Sequence, residues 1–132
     1  MFRRQFLALT GAAAALPTLG FAATDYTPGL VKKHLDQGDT VFLDFKAAWC
    51  STCRAQERVI NALKSENPDY DAKIVFIDVD WDQYGRSDLV KSLRVPRRST
   101  LVALKGDAEI GRIVADTSSR KIKKLMDAAL AA

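Results

Sequence analysis

The sequence predicts one α/β domain: a central mixed sheet of about four strands, flanked by helices. Strand-like and helix-like segments alternate along the chain, which calls for parallel pairing. Two late strand-like segments flank Gly106-Asp107, so a hairpin adds an antiparallel edge. The chain has 132 residues, 48% of them hydrophobic, enough for one core and too few for a second.

Residues 1–22 (MFRRQFLALTGAAAALPTLGFA) differ in character from the rest of the chain. Arg3 and Arg4 open them, a weakly apolar stretch fills the middle, and Gly20-Phe21-Ala22 closes them with small residues at the two positions a signal peptidase reads. This layout predicts an export signal over 1–22, cleaved near Ala22, and a domain over 23–132. Arg3-Arg4-Gln5-Phe6-Leu7 resembles the twin-arginine signature. A general secretory signal and an uncleaved anchor are the alternatives. Export places the domain in an oxidising compartment, the periplasm, where a dithiol must be actively kept reduced. Without Arg3 and Arg4 the chain has 18 basic residues against 16 acidic, too balanced for nucleic-acid binding.

Along the domain, Thr27-Pro28 reads as a helix cap and first helical residue, with Leu30, Val31, His34 and Leu35 at helical spacing and Gly38 as the stop. Residues 40–47 (TVFLDFKA) are rich in β-branched and aromatic side chains, as a strand requires. Residues 51–67 form a helix with Val59, Ile60 and Leu63 on one face and Pro68 just beyond. The apolar run 73–79 (KIVFIDV) suits a buried parallel strand. A short helix over 87–93 precedes the hairpin strands 100–104 and 109–114. Thr117 or Ser118 caps a last helix whose apolar stripe is Ile122, Leu125, Met126 and Leu130.

Cys50 and Cys53 are the only cysteines. Cys50 falls after a strand and at a helix start, where free N–H groups and the positive dipole end stabilise a thiolate. Cys53 lies one turn on and can reach back, which supplies a nucleophile and a resolving partner for thiol–disulfide exchange. Zinc needs four ligands, and beyond this pair the chain offers only His34, far away in sequence. Covalent haem attachment needs His after the second cysteine, where Arg54 stands. A structural staple remains an alternative, though so small a ring constrains the unfolded chain little. No cofactor is expected.

The chain from about Asp25 to Ala132 resembles thioredoxin-like proteins. The residues that carry the likeness are Asp44-Phe45, Trp49-Cys50-Ser51-Thr52-Cys53, the strand end Ile77-Asp78-Val79-Asp80, and Ser99-Thr100-Leu101-Val102 leading to Lys105-Gly106-Asp107. The stretch from Trp49 to Val59 is also similar to the C-terminal thioredoxin domain of membrane thiol reductases of the bacterial envelope. The resemblance implies the thioredoxin fold, with Cys50 as nucleophile, Cys53 as resolving thiol, Asp44 as a buried acid aiding proton transfer, and Trp49 shielding the nucleophile. An acid in an apolar strand has a raised pKa, which agrees. The bland alternatives are a surface aspartate and a core tryptophan.

Two departures stand out. Ser99 occupies the place of the family's cis-proline. A non-proline cis bond costs about 2.5–4 kcal/mol, so a trans bond is expected there. The loop should keep a backbone edge for an extended substrate, gain a hydroxyl near the sulfurs, and accept proline at 99. A register using Pro96 instead would put Ser99-Thr100-Leu101 out of step. Lys46, two residues after Asp44 and on the same strand face, replaces a common aromatic residue and is a candidate partner for Asp44, if it does not simply reach solvent. Arg94, Arg97 and Arg98 cluster before Ser99; facing Cys50, they would favour its thiolate.

The expected function is an exported thiol–disulfide oxidoreductase, reducing disulfides of envelope proteins and recharged by a membrane thiol-reducing electron donor. It is read as a monomer acting on protein thiols and disulfides. A thiol oxidase of the same fold and a Cu(I) carrier using the two cysteines are the alternatives.

Overall fold

The computed structural model describes residues 23–132; the export signal expected over 1–22 lies outside them. Among these residues five strands are present: β1 (Thr24–Asp25), β2 (Thr40–Lys46), β3 (Ile74–Asp80), β4 (Thr100–Lys105) and β5 (Ala108–Val114). They form one sheet in the order β1-β3-β2-β4-β5. β1 and β2 flank β3 in parallel, while β4 pairs antiparallel with both β2 and β5. The strand beyond the expected four is β1, whose two residues are too short to show alternation.

Among the described residues six helices surround the sheet: α1 (Leu30–Asp36), α2 (Ser51–Glu66), α3 (Asp69–Lys73), α4 (Trp81–Tyr84), α5 (Asp88–Leu93) and α6 (Ser119–Ala131). The expected start of α1 needs correction. Leu30 N donates to Thr27 O at 3.0 Å, and Gly29 at φ 90 is the capping residue. Glycine takes this left-handed conformation without a Cβ clash, so a turn separates Pro28 from the helix. α5 and α6 are capped by Ser87 and Ser118, whose side chains accept from the N–H three residues on. In the hairpin, Gly106 at φ 58 supplies the left-handed residue of the two-residue loop between β4 and β5.

The two-residue period of β2 divides the core. Phe42 joins Ile60, Leu63, Phe76, Ile122 and Met126 on the face covered by α2 and α6. Val41, Leu43 and Phe45 join Val31, Ile77, Val79, Val90 and Val102 on the other face, under α1 and α5. Asp44 and Lys46 are therefore on the Phe42 face of β2, beneath α2.

Candidate active site

β2 ends at Lys46, and one turn brings the chain round into α2, with Cys50 N donating to Ala47 O at 3.1 Å. Cys50 is the N-cap of α2, in extended conformation, and its sulfur accepts from Cys53 N at 3.1 Å. The sulfur takes the place that a serine or aspartate oxygen fills at other helix starts, at the positive end of the helix dipole. Cys50 and Cys53 are joined as a disulfide with their Cα atoms 5.3 Å apart. Cys50 is 3% exposed and Cys53 is fully buried.

Ser99 meets this pair from the opposite side. Its Oγ is 3.1 Å from both sulfurs. The residue is fully buried and held at φ 64, with no cis peptide bond among the described residues. Three hydrogen bonds keep it there: its N–H donates to Phe45 O at 2.7 Å, and its carbonyl accepts from Ala115 N at 2.8 Å and Gln56 Nε2 at 3.0 Å. The hydroxyl near the sulfurs is thus present, but the expectation that position 99 accepts proline falls. Both backbone groups of Ser99 are engaged inside the protein, so any edge the loop offers to an extended substrate lies outside residue 99. Proline, fixed near φ −65° and without an N–H, does not fit this backbone. β4 starts at Thr100, four residues after Pro96, so Pro96 lies outside the sheet.

Beneath α2, Asp44 lines a cavity of about 210 Å³ with Glu57, Lys64 and Asp78 among its walls. Asp44 Oδ1 is buried without a hydrogen-bond partner. Burial, first, and the neighbouring charge of Asp78 push its pKa up to about 7, against the pull of Lys46. Burial likewise raises Asp78. Lys46 Nζ pairs with Glu57 at 3.1 Å and with Asp78 at 3.7 Å, so it acts on Asp44 through space rather than as a direct ion-pair partner. Burial works against the charge on Lys46, but Asp78, Asp44 and Glu57 outweigh it and hold its pKa above the usual lysine value. Among the described residues no group of three His, Cys, Asp or Glu side chains is arranged to hold a metal ion.

A sequence profile of the family described as Thioredoxin matches residues 21–128. The chain belongs to the thioredoxin family. It is 32% identical over 79 residues to a thioredoxin of Echinococcus granulosus, covering 59% of this chain and 68% of that one. It is 34% identical over 86 residues to Thioredoxin H2 of Arabidopsis thaliana, covering 63% and 60%. The chain thus spans about two thirds of the length of these relatives. Among solved structures, the thioredoxin-like protein Trxlp of Edwardsiella tarda superposes with a TM-score of 0.69 at 22% identity, covering 80% of this chain and 98% of that one. The oxidised form of mitochondrial thioredoxin 3 from Saccharomyces cerevisiae gives 0.65 at 24% identity, covering 80% and 93%. With the fold and the disulfide, these relatives make Cys50 and Cys53 the redox-active pair of a thioredoxin-type thiol–disulfide oxidoreductase.

Within this thioredoxin domain the two tryptophans divide the surroundings of the disulfide. Trp81, at the start of α4, packs on the cluster of Ala47, Cys50 and Cys53. Trp49 is 56% exposed; its indole N–H donates to both Asp82 carboxylate oxygens at 3.1 Å, and the Arg98 guanidinium lies 4.4 Å from its ring centre. Of the three clustered arginines, Arg98 approaches the site by this stack. Arg97 Nε turns back to Arg98 O, and Arg94 is the left-handed C-cap of α5. Sequence reasoning missed Trp81 and Gln56. Gln56 Nε2 donates to Ser99 O and, at 3.1 Å, to Asp116 O, tying α2 to the segments that enter and leave the hairpin at its open end. The signal was a glutamine one turn beyond Cys53, on a helix face otherwise turned to the core.

Proposed function

We propose that this thioredoxin-family protein is exported and reduces disulfides of envelope proteins, drawing electrons from a membrane thiol-reducing donor. The observation that carries the reading is the Cys50–Cys53 disulfide at the N-terminus of α2. The arginine-led, acid-free first 22 residues and the similarity of the stretch from Trp49 to Val59 to envelope thiol reductases support the compartment and the direction. In the cycle, the Cys50 thiolate attacks a substrate disulfide, a mixed disulfide forms, and one substrate thiolate leaves. Cys53 then attacks Cys50 Sγ and releases the second. Two electrons have passed from the dithiol to the substrate.

The test is the full-length Cys53→Ser variant, expressed in its host and isolated under thiol-blocking conditions. Envelope proteins should be recovered as mixed disulfides on Cys50, and should be lost when Cys50 is also replaced by serine. The wild-type pair should be found reduced in the cell. Capture of cytoplasmic proteins alone would overturn the compartment. A wild-type pair found oxidised in the cell, delivering disulfides to its partners, would overturn the direction.

A further inference from the structure

We propose that Ser99 is a catalytic residue whose single buried hydroxyl hydrogen-bonds whichever of the two active-site sulfurs is the thiolate at each step. The proposal rests on the dithiol–disulfide cycle of a reductase. A hydroxyl has one proton to donate and two lone pairs to accept with. Ser99 Oγ lies 3.1 Å from Cys50 Sγ and 3.1 Å from Cys53 Sγ, so rotation about one bond turns its proton from one to the other. Nothing else about the residue is free to move: φ 64 and the bonds to Phe45 O, Ala115 N and Gln56 Nε2 hold its backbone.

The two sulfurs are unequally served without it. Cys50 Sγ also accepts from Cys53 N, whereas the hydrogen bond that Cys53 Sγ makes is the one to Ser99. The hydroxyl therefore matters most when Cys53 carries negative charge. That happens when the oxidised protein is reduced by a donor thiolate. The donor sulfur bonds to Cys50 Sγ, the Cys50–Cys53 bond breaks, and its electron pair goes to Cys53, which Ser99 O–H then stabilises. A second donor thiolate then attacks the first donor's sulfur; the donor disulfide forms, the bond to Cys50 Sγ breaks, and its electron pair leaves with Cys50 as the thiolate. Cys53 takes a proton by way of Asp44 and can donate it in a hydrogen bond to Ser99 Oγ, while Ser99 donates to the Cys50 thiolate. The reduced dithiol thus keeps one proton and one charge, spread along Cys53, Ser99 and Cys50.

Other charges act on the same sulfurs and remain in the variants. Asp44 and Lys46 of β2, Glu57 of α2 and Asp78 of β3 lie beneath α2, and Arg98 and Asp82 flank the site through Trp49. A charge-assisted hydrogen bond contributes a factor of about ten to a hundred to the equilibrium it favours.

The experiment compares the wild type with Ser99→Ala and Ser99→Gly. It measures the rate of reduction by dithiothreitol, the reduction potential against glutathione, and the pH dependence of Cys50 alkylation by iodoacetamide. Alanine removes the hydroxyl alone, and glycine removes the whole side chain but accepts φ 64 at no steric cost and keeps all three backbone bonds. Both variants should be reduced about tenfold more slowly than the wild type. Both should also be more reducing, by a factor of about ten in the equilibrium constant, or about 30 mV. The Cys50 alkylation midpoint should move to higher pH. Rates, potential and midpoint within twofold of the wild type in Ser99→Gly would overturn the proposal while leaving the reductase reading intact. A wild type that does not cycle with thiols would instead remove that reading.

Discussion

Asp44 on β2 and Asp78 on β3 stand opposite each other in the parallel register, and both line the cavity under α2. Two carboxyl groups so placed cannot both ionise cheaply. Lys46, between Glu57 and Asp78, neutralises the Asp78 side of the pair, and Asp44 keeps the unpartnered oxygen. The result is an acid that titrates at about 7 under the helix that carries the active-site cysteines.

Asp44 should make stability depend on pH in the sense opposite to a salt-bridged aspartate. Its folded pKa, about 7, is above its unfolded value of 3.8. The unfolded chain therefore loses its proton first, and stability is lost as pH rises from about 4 through 7. Asp44→Asn removes this penalty. The oxidised variant should melt close to the wild type near pH 4 and clearly above it at pH 8.5, by an amount on the order of a few kcal/mol. Thermal unfolding across that range checks it; a gap independent of pH would show that burial does not oppose ionisation of Asp44.

The same carboxyl should govern resolution of the mixed disulfide. Cys53 must lose its proton to attack Cys50, and an ionised Asp44 can receive it. In the wild type the resolution rate should rise with pH through about 7, where Asp44 ionises. In Asp44→Asn that rise should vanish and resolution should slow by on the order of tenfold to a hundredfold, with mixed-disulfide formation changed much less. Rapid-mixing kinetics with a model peptide disulfide separates the two steps.

The residues that act through local position were legible in the sequence. Cys50 and Cys53 sit at the helix start that the strand-to-helix transition predicts, and the alternation of β2 put Asp44 and Lys46 on one face. The central strands, α2 and α6 are long enough for their periodicity to speak. α3, α4 and β1 have five, four and two residues, too few to show a period. What escaped was long-range. Lys46 turns to Glu57 and Asp78, which depends on how α2 crosses the sheet. The left-handed backbone of Ser99 is set by hydrogen bonds to Phe45, Ala115 and Gln56, residues remote in sequence.

Gln56 should be needed as a donor. Gln56→Leu keeps the volume but removes the bonds to Ser99 O and Asp116 O, and should cost about 1–3 kcal/mol. Gln56→Glu should cost more, because its carboxylate offers only acceptors to two carbonyl oxygens. The excess should shrink at acid pH, where a protonated glutamic acid donates once. Denaturant midpoints at pH 4.5 and pH 8 distinguish the three proteins. Equal midpoints for the two variants at pH 8 would show that packing alone holds α2 to the hairpin.

Ser99→Pro should be strongly destabilising, although proline is the family's usual residue at this place. Proline fixes φ near −65°, and Ser99 is at φ 64. The backbone would have to swing through a wide arc at a fully buried position. The N–H given to Phe45 O at 2.7 Å would be lost, leaving that carbonyl without this donor in the core. The swing would also carry the Ser99 carbonyl away from Ala115 N and Gln56 Nε2. Together these should cost about 3 kcal/mol or more, a fall in melting temperature on the order of 10 °C or more for a domain of this size. Ser99→Gly is the control, because glycine accepts the observed φ and retains the N–H; it should melt close to the wild type. Pro96→Ala should also be mild, since Pro96 precedes the strand and lies outside these bonds. If Ser99→Pro melts with the wild type, the loop can exchange this backbone for the family's usual one, and the three hydrogen bonds around Ser99 do not determine its course.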